Sequence, residues 1–186
     1  MSIYVFDQKD ILNSSVRLAS GIPVLSTATK MSIIHRDHTT LYGLDRRPIG
    51  SIRWKGGAFE LQGTTKSTDL IKTKPPSQYL LDSNWERIWQ WDPAAGPRYE
   101  IRFIDHQWIA TELSTNAVHA LMDPYESHLF RKSTPAAITF PEGVRDFDKW
   151  FLFLILLRME TRRLERRRRS SRFAVNQGAF GGGAFY

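Results

Sequence analysis

The sequence predicts a mainly β protein: an antiparallel β-barrel of about 12 strands that is threaded by a hydrophobic C-terminal α-helix. Short segments that alternate apolar and polar residues follow one another, separated by turn residues, through the chain up to residue 142. After them comes one continuous apolar run, Trp150–Leu157, just before a dense run of arginines. A helix made from that run is apolar on every side and must be enclosed, and the rest of the chain offers only strands to enclose it.

The strands are indicated by a period of two in the side chains. In the segment PRYEIRF, the side chains of Tyr99, Ile101 and Phe103 share one face and the charged side chains share the other. The segments 48–54 and 58–62 repeat the pattern, and the glycine pair between them is typical of a tight hairpin turn. The remaining candidates are the hairpins 86–103 and 99–113 and the strands 4–6, 15–18, 24–29, 32–36, 39–44, 117–122, 129–132 and 137–140.

The alternating pattern is interrupted at residues 66–86, which are mostly polar and contain the pair Pro75 and Pro76. Adjacent prolines disfavour both a continuous strand and a helix interior. We therefore expect a long connection here, with a short helix near residues 78–81.

Asp146 is the predicted N-cap of the C-terminal helix, which we expect to run over residues 146–167, since no breaker follows before Ser170. Its apolar run is shorter than the roughly 20 residues that span a membrane. The apolar and basic parts also follow each other along the helix, whereas an interfacial helix separates them on two faces. Residues 147–159 cover about 20 Å, the length of a typical strand, so burial in the barrel is the favoured interpretation. Insertion into a membrane and some other packing are the alternatives.

Residues 1–169 are predicted to form one domain, followed by a flexible tail at 170–186 that is rich in glycine and phenylalanine. The 186 residues include no cysteine, which excludes disulfides, zinc–thiolate sites and a cysteine nucleophile. The first residues show no signal peptide, so we expect a cytoplasmic protein, with the nucleus as an alternative location. We also expect a monomer without a transmembrane span.

The positive charge of the chain is concentrated in one segment. Residues 158–172 contain eight arginines and two glutamates, a net charge of +6, which leaves only +1 of the total of +7 for the rest of the chain. Three interpretations stay open: a solvated helix end, contact with an anionic membrane surface, and contact with nucleic acid or a nuclear import factor. The candidate contacts with an anionic partner are Arg162, Arg163, Arg166, Arg167, Arg168 and Arg169.

Other candidate sites have simpler explanations. His35 and His38 lie on different faces of a strand or turn, so we expect surface histidines and no metal site. We likewise predict no catalytic residue and no cofactor. The other histidines, which stand apart from any GxSxG or HExxH motif, are His106, His119 and His128. The tryptophans that fit a barrel core better than a base-stacking platform are Trp54, Trp89, Trp91 and Trp108.

Several segments, in their order and spacing, resemble the tubby C-terminal-like superfamily, which includes tubby, the phospholipid scramblases and the LURP-one-related proteins. The chain is most similar to a fungal family of unknown function within it. The most specific segment is FPEGVRDFDKWFLFLILLRMETRRLE, which resembles the closing strand, turn and threading helix of that fold. The resemblance implies the barrel with its central helix. It implies no ligand residues, because the basic site through which tubby binds phosphoinositides has no counterpart in these strands. The segments that carry the resemblance to the superfamily are 4–18, 26–36, 39–54, 87–103 and 137–169.

Together these observations predict a non-enzymatic binding or scaffold module that associates with anionic phospholipid surfaces through its arginine cluster. One alternative is a nucleic-acid-associated or nuclear protein that uses the same arginines. A second alternative is an enzyme whose site follows no known motif.

Overall fold

The structure, a computed structural model, describes residues 1–33, 35–74, 87–128 and 131–179. Within these ranges the chain forms two helices, α1 at Thr68–Ile71 and α2 at Asp146–Ala179. The strands of the described residues, in chain order, are β1 Ser2–Phe6, β2 Ser14–Leu18, β3 Pro23–Met31, β4 Arg36–Gly43, β5 Pro48–Arg53, β6 Ala58–Leu61, β7 Thr64–Ser67, β8 Lys72–Thr73, β9 Arg87–Gln90, β10 Arg98–Ile104, β11 Gln107–Glu112, β12 Val118–Asp123 and β13 Ala137–Phe140.

All of these strands belong to one antiparallel sheet of 13 strands in the described part of the chain. Its order is β7-β6-β5-β4-β3-β2-β1-β13-β12-β11-β10-β9-β8. Each strand therefore pairs with a sequence neighbour, except where β1 pairs with β13 and brings the two ends of the strand series together. The mainly β prediction is confirmed, and the expected hairpins of β5 with β6, β9 with β10 and β10 with β11 are present.

The predicted closure into a barrel is wrong. Within the described residues, the edge strands β7 and β8 are not paired with each other, although they are consecutive in the chain. The chain between them forms α1 instead of a hairpin turn, and β8 is only two residues long. Because β7 and β8 form no ladder with each other, they are the two edges of the sheet in the described residues.

The sheet surrounds the apolar part of α2. Every residue from Phe151 to Leu157 is at most 1% exposed. The ring of Phe153 lies 6.1 Å from Tyr4 and 5.8 Å from Phe6 of β1. On another side of the helix, Phe151 lies 5.4 Å from Trp91, which follows β9. Because α2 contacts strands from both halves of the sheet order, its all-round apolar surface is covered by the sheet.

The helix begins near the predicted residue, with Asp146 as its first residue and not its N-cap, and continues to Ala179 instead of ending near residue 167. Arginine, leucine and glutamate are good helix formers, and no glycine or proline interrupts the segment before Gly178. Helix α2 therefore covers residues 170–179 of the segment expected to be a flexible tail, and 180–186 lie outside the described residues. No helix in the described ranges is long and apolar enough to cross a membrane.

Three other predictions are corrected or untested. Of the predicted strand at 32–36, residues 32, 33 and 35 lie between β3 and β4, where the Ser32 N–H donates to the His35 carbonyl at 2.8 Å, and Arg36 begins β4. The first part of the predicted connection at 66–86 contains the end of β7, α1 and β8, while its expected helix at 78–81 lies outside the described residues. Residues 129 and 130 of the predicted strand at 129–132 also lie outside the described residues, and residues 131 and 132 are not in a strand.

Candidate anion-binding surface

The arginine-rich part of α2 lies where the helix leaves the sheet. The side chains of Arg162 and of 166–169 are exposed, so these members of the predicted cluster reach the surface. Between residues 162 and 169 the helix carries six arginines and one glutamate, Glu165. This end of the molecule therefore has a large excess of positive charge, which attracts anionic partners over about a Debye length.

Arg163 does not belong to this exposed cluster. It is 6% exposed, and its Nε and Nη2 donate to the two carboxylate oxygens of Glu160 at 2.7 Å each. Trp108 Nε1 donates to the same carboxylate at 2.9 Å, and the Arg163 guanidinium lies 4.6 Å from the ring centre of Phe103. Arg163 and Glu160 thus connect α2 with β10 and β11. The spacing of Glu160 and Arg163 by three residues is the sequence signal for this pair.

Cations from other elements join the exposed arginines. Burial, and then the charges of Arg162, Arg158 and Arg87, lower the pKa of Lys72 on β8. Burial, followed by Arg166 and Arg162, likewise lowers the pKa of Arg87 on β9. These like charges disfavour one another's protonated forms, so Lys72 and Arg87 belong to the same region of positive potential as the start of the arginine run. Sequence analysis missed Lys72 and Arg87, because nothing local to either residue indicates that the sheet brings it to α2.

A groove of about 940 Å³ lies beside the same end of α2. It is lined by Arg36, Trp54, Lys55 and Arg162, by residues of the β3–β4 turn, and by the carboxylates of Asp37 and Glu165, and we call it the basic groove. Arg36 forms an ion pair with Glu165, which links β4 to α2. The indole of Trp54 lies 5.7 Å from the guanidinium of Arg36 and donates from Nε1 to Thr39 Oγ1 at 2.8 Å.

The turn between β3 and β4 presents apolar side chains next to this groove. Met31 is 58% exposed and Ile33 is 103% exposed. Met31 and Ser32 line the groove together with Arg162 of α2, so the turn and the basic helix flank one surface. We call residues 31–33 the apolar turn. Both side chains are available to contact an apolar partner.

The histidines and most tryptophans have structural explanations. His35 and His106 are exposed, whereas His119 Nε2 lies 3.1 Å from a carboxylate oxygen of Glu112. In the described ranges no group of three or more His, Asp or Glu side chains is placed to hold a metal ion. Trp54 lines the groove. The tryptophans that lie in the core, at most 9% exposed, are Trp89, Trp91 and Trp108.

Comparison with known proteins shows a relationship in fold alone. No protein-family model matches the chain, and no curated protein matches it. An X-ray structure of a protein from Arabidopsis thaliana is similar, with 11% sequence identity and a TM-score of 0.50. The similarity covers 86% of this chain and 90% of that chain. At this identity the two proteins share an arrangement of elements, from which no activity or ligand follows.

Proposed function

We propose that the chain is a non-enzymatic binding module that docks reversibly on anionic phospholipid surfaces through the exposed arginines of α2. The observation that carries the proposal is the exposure of Arg162 and of residues 166–169 at one end of the molecule. Each cation near an anionic leaflet contributes about 1 kcal/mol, so this group supplies enough attraction for reversible binding without insertion of a helix. The cytoplasmic face of a membrane carries this negative charge.

The apolar turn favours a membrane over nucleic acid as the partner. An isoleucine that moves from water into the acyl boundary contributes about 1.5–3 kcal/mol, and Ile33 is fully exposed beside the basic groove. Nucleic acid attracts the same arginines through its phosphates but offers no comparable apolar environment to this turn. Nucleic-acid binding is therefore the second candidate, and the test below distinguishes the two.

We further propose that the chain belongs to the tubby C-terminal-like superfamily. Two features support this: the single antiparallel sheet, and the apolar C-terminal helix that the sheet surrounds. The unpaired edges at β7 and β8 depart from a closed barrel, and α1 occupies the position where closing contacts would form.

The test compares vesicle binding of two charge-matched variants. In the first variant, Arg167 and Arg168 are replaced by Gln. In the second, Gln replaces the exposed residues Arg46 and Arg47, which follow the end of β4 that is remote from the groove. Loss of two contacts of about 1 kcal/mol each predicts roughly 30-fold weaker binding of the first variant to phosphatidylserine vesicles. We expect the second to bind like the unmodified protein, and neither to bind neutral phosphatidylcholine vesicles.

The Ile33→Asn variant separates the two partners. It should weaken vesicle binding and leave any binding of RNA or duplex DNA unchanged. The membrane proposal would be contradicted if the Arg167/Arg168 variant and the Arg46/Arg47 variant lost vesicle binding equally. It would also be contradicted if the unmodified protein did not bind vesicles at about 0.1 M salt. Tight RNA or DNA binding that depends on Arg167 and Arg168 but not on Ile33 would favour the second candidate.

A further inference from the structure

Ser170 is a serine at the end of the exposed arginine run of α2. It follows residues 166–169, which are four consecutive arginines, and its own side chain is exposed. Its hydroxyl donates to the Arg166 carbonyl at 3.2 Å, which is a bond within the same helix. A serine that bonds back to its own helix in this way slightly destabilises it. The Ser170 hydroxyl therefore lies on the surface, in the most strongly cationic segment of the chain.

The arginines before Ser170 indicate the kind of enzyme that would recognise it. Arg167 and Arg168 stand three and two residues before the serine, and Arg169 adjoins it. Guanidinium groups form bidentate hydrogen bonds with carboxylates, so a kinase with carboxylates in its substrate cleft can select this segment. Kinases use such charge patterns to distinguish their substrates. The expected enzyme is a serine kinase that selects cationic residues before its target.

Ser20 provides a comparison within the same chain. It is exposed in the turn that follows β2, and Arg17 stands three residues before it. Arg17 Nη2 already lies 2.5 Å from a carboxylate oxygen of Asp7, so the charge of this arginine is shared. A single arginine in an ion pair attracts an acidic cleft less than four consecutive arginines do. Ser20 is therefore a matched control for Ser170.

The backbone around Ser170 has to unwind, because kinases take up the residues around the target hydroxyl in an extended conformation. The side chains of residues 166–170 are all exposed, so packing against the sheet does not stabilise this part of α2. Like charges four residues apart, such as Arg162 and Arg166, destabilise it further. Local opening is therefore far easier here than at Phe151–Leu157, which the sheet encloses.

The reaction requires only the serine hydroxyl from this chain. Ser170 Oγ attacks the γ-phosphorus of a nucleoside triphosphate, and an O–P bond forms while the bond from that phosphorus to the nucleoside diphosphate breaks. The hydroxyl proton passes to a carboxylate base of the kinase, and the nucleoside diphosphate leaves. The phosphorylated side chain carries a charge of about −2 at pH 7. The net charge of residues 158–172 then falls from +6 to about +4.

We propose that Ser170 is the phosphorylation site of a kinase that selects arginines before its target, and that the phosphate weakens the attraction of α2 to anionic surfaces. The second part rests on the proposed membrane contact, to which it adds regulation. The phosphate subtracts charge, and it lies one helical turn from Arg166 and Arg167, whose side chains it attracts. Each unit of charge near an anionic leaflet changes the binding constant about fivefold, so two units predict roughly 30-fold weaker binding.

The first experiment treats the whole protein with ATP and the catalytic subunit of cyclic-AMP-dependent protein kinase, a probe that selects arginines before its target serine. Mass spectrometry locates the phosphate, which we expect on Ser170. Ser170→Ala should lose it, and Ser20→Ala should keep it. Replacement of Arg167 and Arg168 by Gln should slow the incorporation about tenfold or more, because the cleft loses two charge-assisted contacts.

Two results would overturn the site. In the first, the kinase phosphorylates a short arginine-containing reference peptide but not Ser170 of the whole protein. In the second, the phosphate is found on Ser171 or on another residue instead of Ser170. Both results are independent of membrane binding, so they are distinct from a failure of the proposed function.

The second experiment measures binding to phosphatidylserine vesicles at about 0.1 M salt before and after kinase treatment. The phosphorylated protein should bind roughly 30-fold more weakly. Ser170→Ala, treated with kinase and ATP in the same way, should bind like the untreated protein. Equal binding of the phosphorylated and untreated proteins would overturn the regulatory role of the phosphate.

A failure of the membrane contact itself has a different signature. If the untreated protein binds no vesicles, the proposed function is wrong, and a cation-exchange column serves as the anionic surface. The phosphorylated protein should then elute at lower salt than the untreated protein, because the arginine run has lost two units of positive charge. Elution of both proteins at the same salt concentration would overturn the weakening of the attraction by the phosphate.

Discussion

At the scale of single residues, two buried arginines on the same helix have opposite environments. Arg163 shares its charge with Glu160 through two hydrogen bonds of 2.7 Å, and Trp108 completes the carboxylate's hydrogen bonds. Arg158 has aromatic neighbours at Trp54 and Phe59 but no ion pair in the described residues. The first pair stabilises the attachment of α2 to the sheet. The second charge is costly to bury, because no carboxylate of the described residues forms an ion pair with it.

Gly50 shows how closely the sheet approaches the helix. A Cβ atom at this position of β5 would lie 2.8 Å from the Glu60 carbonyl oxygen and 2.9 Å from Leu154 Cδ1. Contacts this short force either the backbone of β6 or the core of α2 to move. Glycine is required here for packing and not for an unusual backbone angle.

We therefore expect Gly50→Ala to lower the free energy of unfolding by about 1–3 kcal/mol, the usual cost of overpacking. Urea unfolding followed by tryptophan fluorescence measures it. Gly43→Ala, near the end of β4, is the matched control, because its Cβ meets the movable carboxylate of Asp45 at 3.1 Å. Equal unfolding free energies for the two variants would show that β5 and α2 are not in close contact.

At the scale of elements, α2 combines a buried first part and an exposed second part on one continuous helix. Phe151–Leu157 is enclosed by the sheet, and the exposed arginines follow within the next few turns. Enclosure is what permits an apolar surface on all sides of the helix without exposing it to water. The rigid helix then fixes where its charges leave the sheet, next to the groove and the apolar turn.

The burial of α2 makes a charge in its first part intolerable. Leu154 is 0% exposed, so Leu154→Asp places a carboxylate in an apolar core without a partner, and we expect the loss of soluble folded protein. Leu164→Asp is the control on the same helix, since Leu164 is 37% exposed and the variant should express and melt like the original. Expression trials and thermal unfolding of both variants provide the measurement. A folded Leu154→Asp protein with unchanged melting would disprove an enclosed helix.

At the scale of the whole molecule, the sheet of the described residues surrounds a helix, and its two edge strands do not pair with each other. The edges β7 and β8 lie on either side of α1, whose Ser67 N-cap accepts a hydrogen bond from the Asp69 N–H at 3.3 Å. The two edge strands are joined through the chain of α1, and not by the ladder of hydrogen bonds that would close the sheet. The strands β1 and β13 lie in the middle of the sheet order and pair on both sides.

This arrangement predicts a gradient of stability across the sheet. Amide hydrogen exchange should be fastest in β7 and β8 and slowest in β1 and β13, because an edge strand is bonded on one side only. Deuterium uptake of peptides that cover these four strands, followed by mass spectrometry, measures the difference. Uptake in β7 and β8 as slow as in β1 and β13 would indicate that the edges are protected by pairing.

The sequence by itself determined the features that neighbouring residues encode. The alternation around Tyr99 and Ile101 predicted their burial, and both are at most 1% exposed. Asp146 marked the start of α2, and the all-round apolar run predicted an enclosed helix. The excess of arginine after the apolar run located the basic end. Each of these follows from local periodicity, capping or composition, which short-range chemistry dictates.

Only the tertiary structure decided which distant residues meet. The effect of Arg162 on Lys72 and Arg87, the hydrogen bond of Trp108 to the Glu160 carboxylate, and the edges at β7 and β8 depend on sheet curvature and register. The position of Gly57 over Arg158 depends on them as well. A residue's own neighbours carry no information about such contacts, because they arise from the packing of elements far apart in the chain. For this reason the charge of the basic end was readable from the sequence, whereas its groove and its buried, unpaired arginine were not.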